Sequence, residues 1–286
     1  MTIFTTGNQG VSTDYRNQIR LPFQSIDSQD YTSNSHLLHV IMTLIEFCGC
    51  ALIAFGPPMT MFCLTVANNP IYIIIMISSC FFWLCALLTS SFLWAIVVPL
   101  KETLAFGVIF SVLIQEIFRY LFYYILKKAQ TGLQKVSEVG NKGSIQSIRW
   151  LSLSYVSGFG FGIMSGAFSL VNVLADATGP GTVGLYGDSP KFFISSAFIT
   201  LTFILLHTFW GIIFFDSCDK GCKYRIAYVI LSHLTVSSLT FFNQLQFYLA
   251  SLIPCYLITI ITGVIAYQCS GGTLKSLKEC LPFSLG

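Results

Sequence analysis

Charge is the scarcest property of this sequence. Asp, Glu, Lys and Arg make up only 9% of its 286 residues, where a soluble domain carries about 25%. With apolar residues at 54%, an ordinary soluble domain is excluded and a chain built for lipid is expected. A basic face is also lacking: the net charge of +3 comes from Lys and Arg in short connections, which argues against nucleic acid as a partner. Residues 1 to 38 contain no continuous apolar run of the kind a signal peptide needs, so they read as a disordered polar tail. Cysteine is plentiful but lacks a pairing pattern. Cys48, Cys50, Cys63, Cys80, Cys85 and Cys255 lie inside apolar runs, where a free thiol behaves as a small hydrophobe. Cys218 and Cys222 bracket "CDKGC" with no second Cys or His pair nearby, which favours a reduced, cytosol-facing turn over a metal knuckle.

What is present is a series of long apolar segments. A bilayer core about 30 Å thick takes about 20 apolar residues per helix. Seven segments meet that requirement: 42–66, 71–98, 103–126, 150–174, 192–215, 226–243 and 247–268. The expected fold is all-α and polytopic, with a polar extension over 1–41, a seven-helix domain over 42–268 and a short cytosolic tail over 269–286. The longer connections, 127–149 and 175–191, contain glycine or proline and read as loops. Pro57 and Pro58 in the first span and Pro254 in the seventh are expected to bend their helices, since proline removes a backbone donor and crowds the preceding turn.

With seven spans the connections alternate sides. One side holds Lys127, Lys128, Lys135, Lys142, Arg149, Lys220, Lys223, Arg225, Lys275 and Lys278, and the other holds Arg16, Arg20, Lys101 and Lys191. Ten against four predicts a cytosolic C-terminus and a luminal or extracellular N-terminus.

The fourth span, "LSYVSGFGFGIMSGAFSL", places Ser154, Gly158, Gly162 and Gly166 at four-residue spacing. On an α-helix these form one stripe about 18 Å long. Helices in bilayers associate through close backbone approach, which small residues permit, so a neighbouring helix belongs on this stripe. The spacing leaves open whether that neighbour comes from this chain or from another subunit.

The third span places Gln115, Glu116 and Arg119 at membrane depth. A charged side chain at the centre of a span costs about 2.5 to 3.5 kcal/mol on insertion scales, so such groups face the protein interior. Glu116 and Arg119, three apart, can pair. His207 in the fifth span precedes Asp216 by nine residues, and His233 in the sixth follows Arg225 by eight. Both imidazoles are therefore expected roughly 12 to 14 Å from the same side, with Glu116 at roughly 16 Å. The five groups are expected to enclose a polar pocket. It could be a hydrolytic site with Glu116 as general base, a metal site of both histidines and the carboxylate, a transport path, or a satisfied network that fixes helix positions.

Several stretches carry a specific resemblance: "FCGCALIAFGPP", "CFFWL", "VLIQEIFRYLFYYILKKA", "YVSGFGFGIMSGAFSLVNVLADATGPGTVGLYGDSP", "ISSAFITLTFILLHTFWGIIFFD" and "LSHLTVSSLTFFN". Over residues 42 to 272 the sequence resembles the anterior pharynx-defective family, the seven-span subunit of gamma-secretase. The resemblance implies a scaffold without catalytic residues, cofactor or metal. Its implied partners are nicastrin, presenilin and the presenilin enhancer subunit, and its implied setting runs from the endoplasmic reticulum and Golgi to the plasma membrane and endosomes, with Notch-type receptors among the substrates of the complex. It also implies an assembly role for Gly158, Gly162 and Gly166, a maturation role for His207 and His233, and a cavity-lining place for Gln115 and Glu116. Relatives begin near the counterpart of Met42, so residues 1–41 read as an extension, with translation from Met42 as one expectation. The "PLKET" connection is shorter than in animal relatives.

A fainter likeness joins the chain to CAAX-prenyl proteases, whose F-x-x-x-H element matches "FILLH", Phe203 to His207. The double glutamate of those enzymes is here Gln115-Glu116, and Ser237 stands where they place Asn. An amide cannot take a proton from water as a carboxylate can, so the likeness implies a retired active site. An intramembrane hydrolase, or a seven-span receptor or transporter, is the alternative class.

Overall fold

The computed structural model describes the backbone of residues 28–96, 104–139, 149–177, 191–243 and 245–273. Seven α-helices run through them: α1 (Ser28–Met61), α2 (Pro70–Ile96), α3 (Leu104–Val139), α4 (Trp150–Ala177), α5 (Lys191–Lys220), α6 (Lys223–Leu239) and α7 (Tyr248–Cys269). Each holds a stretch long and apolar enough to cross a membrane. No strand occurs among the described residues. The chain is an all-α, multi-pass membrane protein.

Several boundaries differ from expectation. Helix α1 starts at Ser28, ahead of residue 42, because "SQDYTSNSHLLHVIMTLIEFC" contains neither glycine nor proline to stop it. Residues 1–27, and so most of the expected tail, lie outside the described residues, as do 274–286. The connection read as a loop from 127 is helical up to Val139. Gly132 is the lone glycine there, and its cost of about 1 kcal/mol is outweighed by neighbouring Lys, Gln, Leu and Ala. The expected loop over 175–191 is helical as far as Ala177, and Lys191 already opens α5; residues 178–190 are not described.

The prolines are absorbed rather than helix-ending. Helix α1 continues through Pro57 and Pro58, and the irregularity follows at Phe62–Val66, which winds as a π-helix. Its wide turn closes with the Ala67 amide donating to the Phe62 carbonyl at 2.9 Å, the i to i+5 pattern of a π-bulge. Pro254 likewise lies inside α7.

Helix α5 is the axis of the bundle and contacts α1, α4, α6 and α7. Helix α4 lies between α5 and α2, and α3 joins α2 to α6. The packed centre is built on Ile204, Leu206, Trp210, Ile213 and Phe215 of α5, with Val156 and Phe159 of α4 and Val229 and Val236 of α6. At one end, Lys127 of α3 pairs with Asp219 of α5 at 2.8 Å and covers the Trp150 ring of α4, its ammonium 4.4 Å from the centroid. Nearby, Asp216 of α5 pairs with Arg225 of α6 at 3.0 Å. These contacts tie four helices together where their charged ends meet water. The nine described cysteines are unpaired.

Candidate functional site: a buried polar cluster seated on a glycine stripe

Along α4 the glycines face α5 of the same chain. A Cβ placed on Gly162 would stand 2.5 Å from the Ile204 carbonyl oxygen, and one on Gly158 would stand 2.7 Å from the carbonyl oxygens of both His207 and Thr208. Backbone cannot retreat as a side chain can, so these two positions accept only hydrogen. Gly166 is less constrained, because its nearest neighbours are the Ile204 side-chain carbons at 2.6 Å. Helix α5 answers with its own bare position: a Cβ on Gly211 would meet the Gly158 Cα at 2.5 Å. Close backbone approach of this kind is what holds helices together where lipid already satisfies apolar side chains.

A second bare face on α4 receives α2. Gly160 would carry its Cβ to 2.6 Å from the Met76 carbonyl oxygen. The Ser79 hydroxyl donates to the Ser157 carbonyl, and the Cys80 thiol to the Gly160 carbonyl at 3.3 Å. Two residues along a helix is a turn of about 200°, which is why Gly160 lies off the stripe of Gly158 and Gly162.

The tight seat at Gly158 is formed by the carbonyl of His207, so the stripe and the polar cluster are one construction. Arg119 Nη1 lies 3.1 Å from Glu116 Oε1 and 3.2 Å from Oε2. Arg119 Nη2 lies 2.7 Å from His207 Nδ1, and His233 Nδ1 lies 2.7 Å from Glu116 Oε1. One hydrogen-bonded chain thus runs from α5 through α3 to α6. All four side chains are buried, with His207 fully enclosed.

Aromatic rings wall the cluster. The guanidinium carbon of Arg119 lies 5.5 Å from the Phe161 ring centre and 5.8 Å from that of Trp210. Trp210 stacks on His233 with centroids 4.5 Å apart, and its Nε1 donates to the Ser232 hydroxyl at 2.9 Å. Cation–π contact of this sort stabilises a desolvated guanidinium by about 2 kcal/mol.

Gln115 turns away from the other four. Its Oε1 accepts from Trp83 Nε1 of α2 at 3.1 Å, and its Nε2 donates to the Ser111 hydroxyl at 3.3 Å. Successive helix positions point about 100° apart, so Gln115 and Glu116 serve different neighbours. Gln115 is nevertheless as buried as the cluster.

Sequence reasoning missed Trp210, Gly211, Gly160 and Phe161. Trp210 and Gly211 stand three and four residues after His207, the spacing that places them on its face, so the signal was present. Phe161 had none, since an aromatic inside an apolar run looks like lipid-facing bulk.

The geometry limits the chemistry. Arg119 occupies the space between His207 and Glu116, so those two ligands do not converge on a metal position. Among the described residues no three of His, Cys, Asp and Glu gather as a metal site. Both oxygens of Glu116 are already engaged, and the narrow gap beside Arg119, lined by Phe122, Ser157, Gly158, Phe161, Gly211 and Phe215, has no room for a water molecule.

Residues 45–273 match the family described as Aph-1 protein. The chain is 52% identical over 238 residues to "Gamma-secretase subunit Aph-1" of Drosophila melanogaster, covering 83% of this chain and 98% of that protein. It is 48% identical over 249 residues to "Gamma-secretase subunit Aph-1b" of Danio rerio and 45% identical over 249 residues to "Gamma-secretase subunit APH-1B" of Homo sapiens, each alignment covering 84% of this chain and 94% of the relative. This chain, with its seven membrane helices, belongs to the Aph-1 family.

Proposed function

We propose that the chain is a non-catalytic scaffold subunit of gamma-secretase, holding presenilin, nicastrin and the presenilin enhancer subunit together in membranes from the endoplasmic reticulum and Golgi to the plasma membrane and endosomes. Its charged, Lys-rich helix ends would face the cytosol, and its effect on Notch-type substrates would pass through the other subunits. The subunit role rests on the names its relatives carry. The non-catalytic role is supported by one observation above all: the only carboxylate described in the cluster, Glu116, spends both oxygens on Arg119 and His233, so no carboxylate is left to activate water. In this reading Gly158, Gly162 and Gly166 act on assembly at one remove. They seat α5, and the seated bundle offers partners a fixed outer surface.

The test is extraction of the native protein in mild detergent, followed by identification of what migrates with it. Presenilin and nicastrin are expected in the same band, and the separated chain is expected to cleave no membrane peptide. A chain that migrates alone removes the scaffold role. Peptide cleavage by the separated chain, lost in Glu116→Gln, would replace it with hydrolysis.

A further inference from the structure

We infer that the buried cluster holds its two imidazoles in opposite tautomers: His207 presents a lone pair at Nδ1, and His233 presents a proton there. His207 thus serves Arg119 as an acceptor, while His233 serves Glu116 as a donor. The inference stands on the geometry of the cluster and does not depend on the proposed function.

A guanidinium offers five donors and no acceptor. Arg119 Nη2 lies 2.7 Å from His207 Nδ1, so that nitrogen must receive the hydrogen bond and cannot carry its own proton. The proton of a neutral His207 therefore sits on Nε2, an enclosed atom with no hydrogen-bond partner. The rings of Trp210 and His233 stand nearly perpendicular to it, at centroid distances of 5.3 and 5.0 Å. A doubly protonated His207 would aim an N–H at the cation beside it.

For His233 the logic reverses. An ionised carboxylate only accepts, and Glu116 Oε1 already takes Arg119 Nη1 at 3.1 Å while lying 2.7 Å from His233 Nδ1. His233 Nδ1 must then donate. The other assignment, a protonated Glu116 donating to His233, would leave Arg119 as a buried cation with no counter-charge. Isolated buried charge is among the costliest arrangements in a protein, and Glu116 and Arg119 are the charged pair that the cluster supplies. With Glu116 ionised and both imidazoles neutral, the four side chains sum to zero charge, which suits a site at membrane depth.

The two histidines look alike in sequence, but they play opposite parts, and substitution should tell them apart. An aspartate at either position adds one negative charge. At 207 it would face Arg119, and at 233 it would face Glu116.

The experiment uses the full chain in lipid nanodiscs, with His36 and His39 replaced by Gln so that two histidines remain. With ¹⁵N-histidine labelling, long-range ¹H–¹⁵N correlation reports which nitrogen of each ring carries the proton. An Nε2–H ring at His207 and an Nδ1–H ring at His233 are expected; the swapped pattern, two rings of the same kind, or a doubly protonated ring overturns the assignment. Alongside it, His207→Asp should give at least tenfold more folded, monodisperse chain than His233→Asp, and the reverse order would also overturn it. Should both variants fail to fold, the spectrum of the unsubstituted cluster decides.

Discussion

Helices α2 and α5 are both apolar enough to cross a membrane, yet 72% of an 18-residue apolar stretch of α5 is buried against 17% of the matching stretch of α2. The more apolar of the two is the peripheral one. Ile71, Ile74, Ile77, Phe81, Leu88 and Phe92 of α2 point outward, while α5 buries Thr200, Thr202, His207, Thr208, Ser217 and Gly211. In water, greasy residues go inside. In lipid they can stay outside at no cost, and groups that hydrogen-bond or leave room for a backbone are drawn to the interior beside the apolar residues packed there. Large apolar side chains occur at both rim and axis, and what sets the axis apart is the polar and bare positions set among them.

The contrast can be broken most forcefully at the cluster. Arg119→Leu leaves Glu116 buried without its cation and should lower stability by about 3 to 5 kcal/mol, read as an earlier midpoint in detergent-titrated unfolding. The double variant Arg119→Leu with Glu116→Leu removes both charges and should recover most of that loss; equal losses in the two variants would show that packing, not charge, holds the axis. A smaller effect is expected at the stripe. Gly162→Ala drives a methyl group against the Ile204 carbonyl, and overpacking of that kind costs about 1 to 3 kcal/mol. The smallest effect sharpens the comparison from the other side. At Gly56, on α1, an added Cβ meets nothing within 4 Å, so Gly56→Ala should be neutral or raise stability by up to about 1 kcal/mol through helix propensity. A loss at Gly56 equal to that at Gly162 would mean that glycine matters for its flexibility and not for the room it leaves.

Much of the architecture was legible because length and hydropathy suffice to count membrane helices. Depth was legible as well: the rise per residue placed His207 and His233 at one level, and their rings lie 5.0 Å apart. Facing was harder. Gln115 and Glu116 share a depth but not a face, because adjacent positions on a helix point about 100° apart. The stripe of Gly158, Gly162 and Gly166 identified a face but not its occupant, because spacing records what a helix lacks and says nothing of what fills the gap. Helix ends were weakest where breakers were few. Of the glycines in 127–149, Gly132 does not stop α3, which runs to Val139, and nothing ahead of "HLLHVIM" stops α1 short of Ser28.

The axis of the bundle also has a place in time. Helices α1 to α4 precede α5 in the chain, which begins at Lys191, so they are synthesised before the one they gather around. Until α5 and α6 are made, the strip of α4 lacks the backbone that seats on it, and Arg119 and Glu116 lack His207 and His233. Closure of the bundle therefore waits on a helix that arrives late.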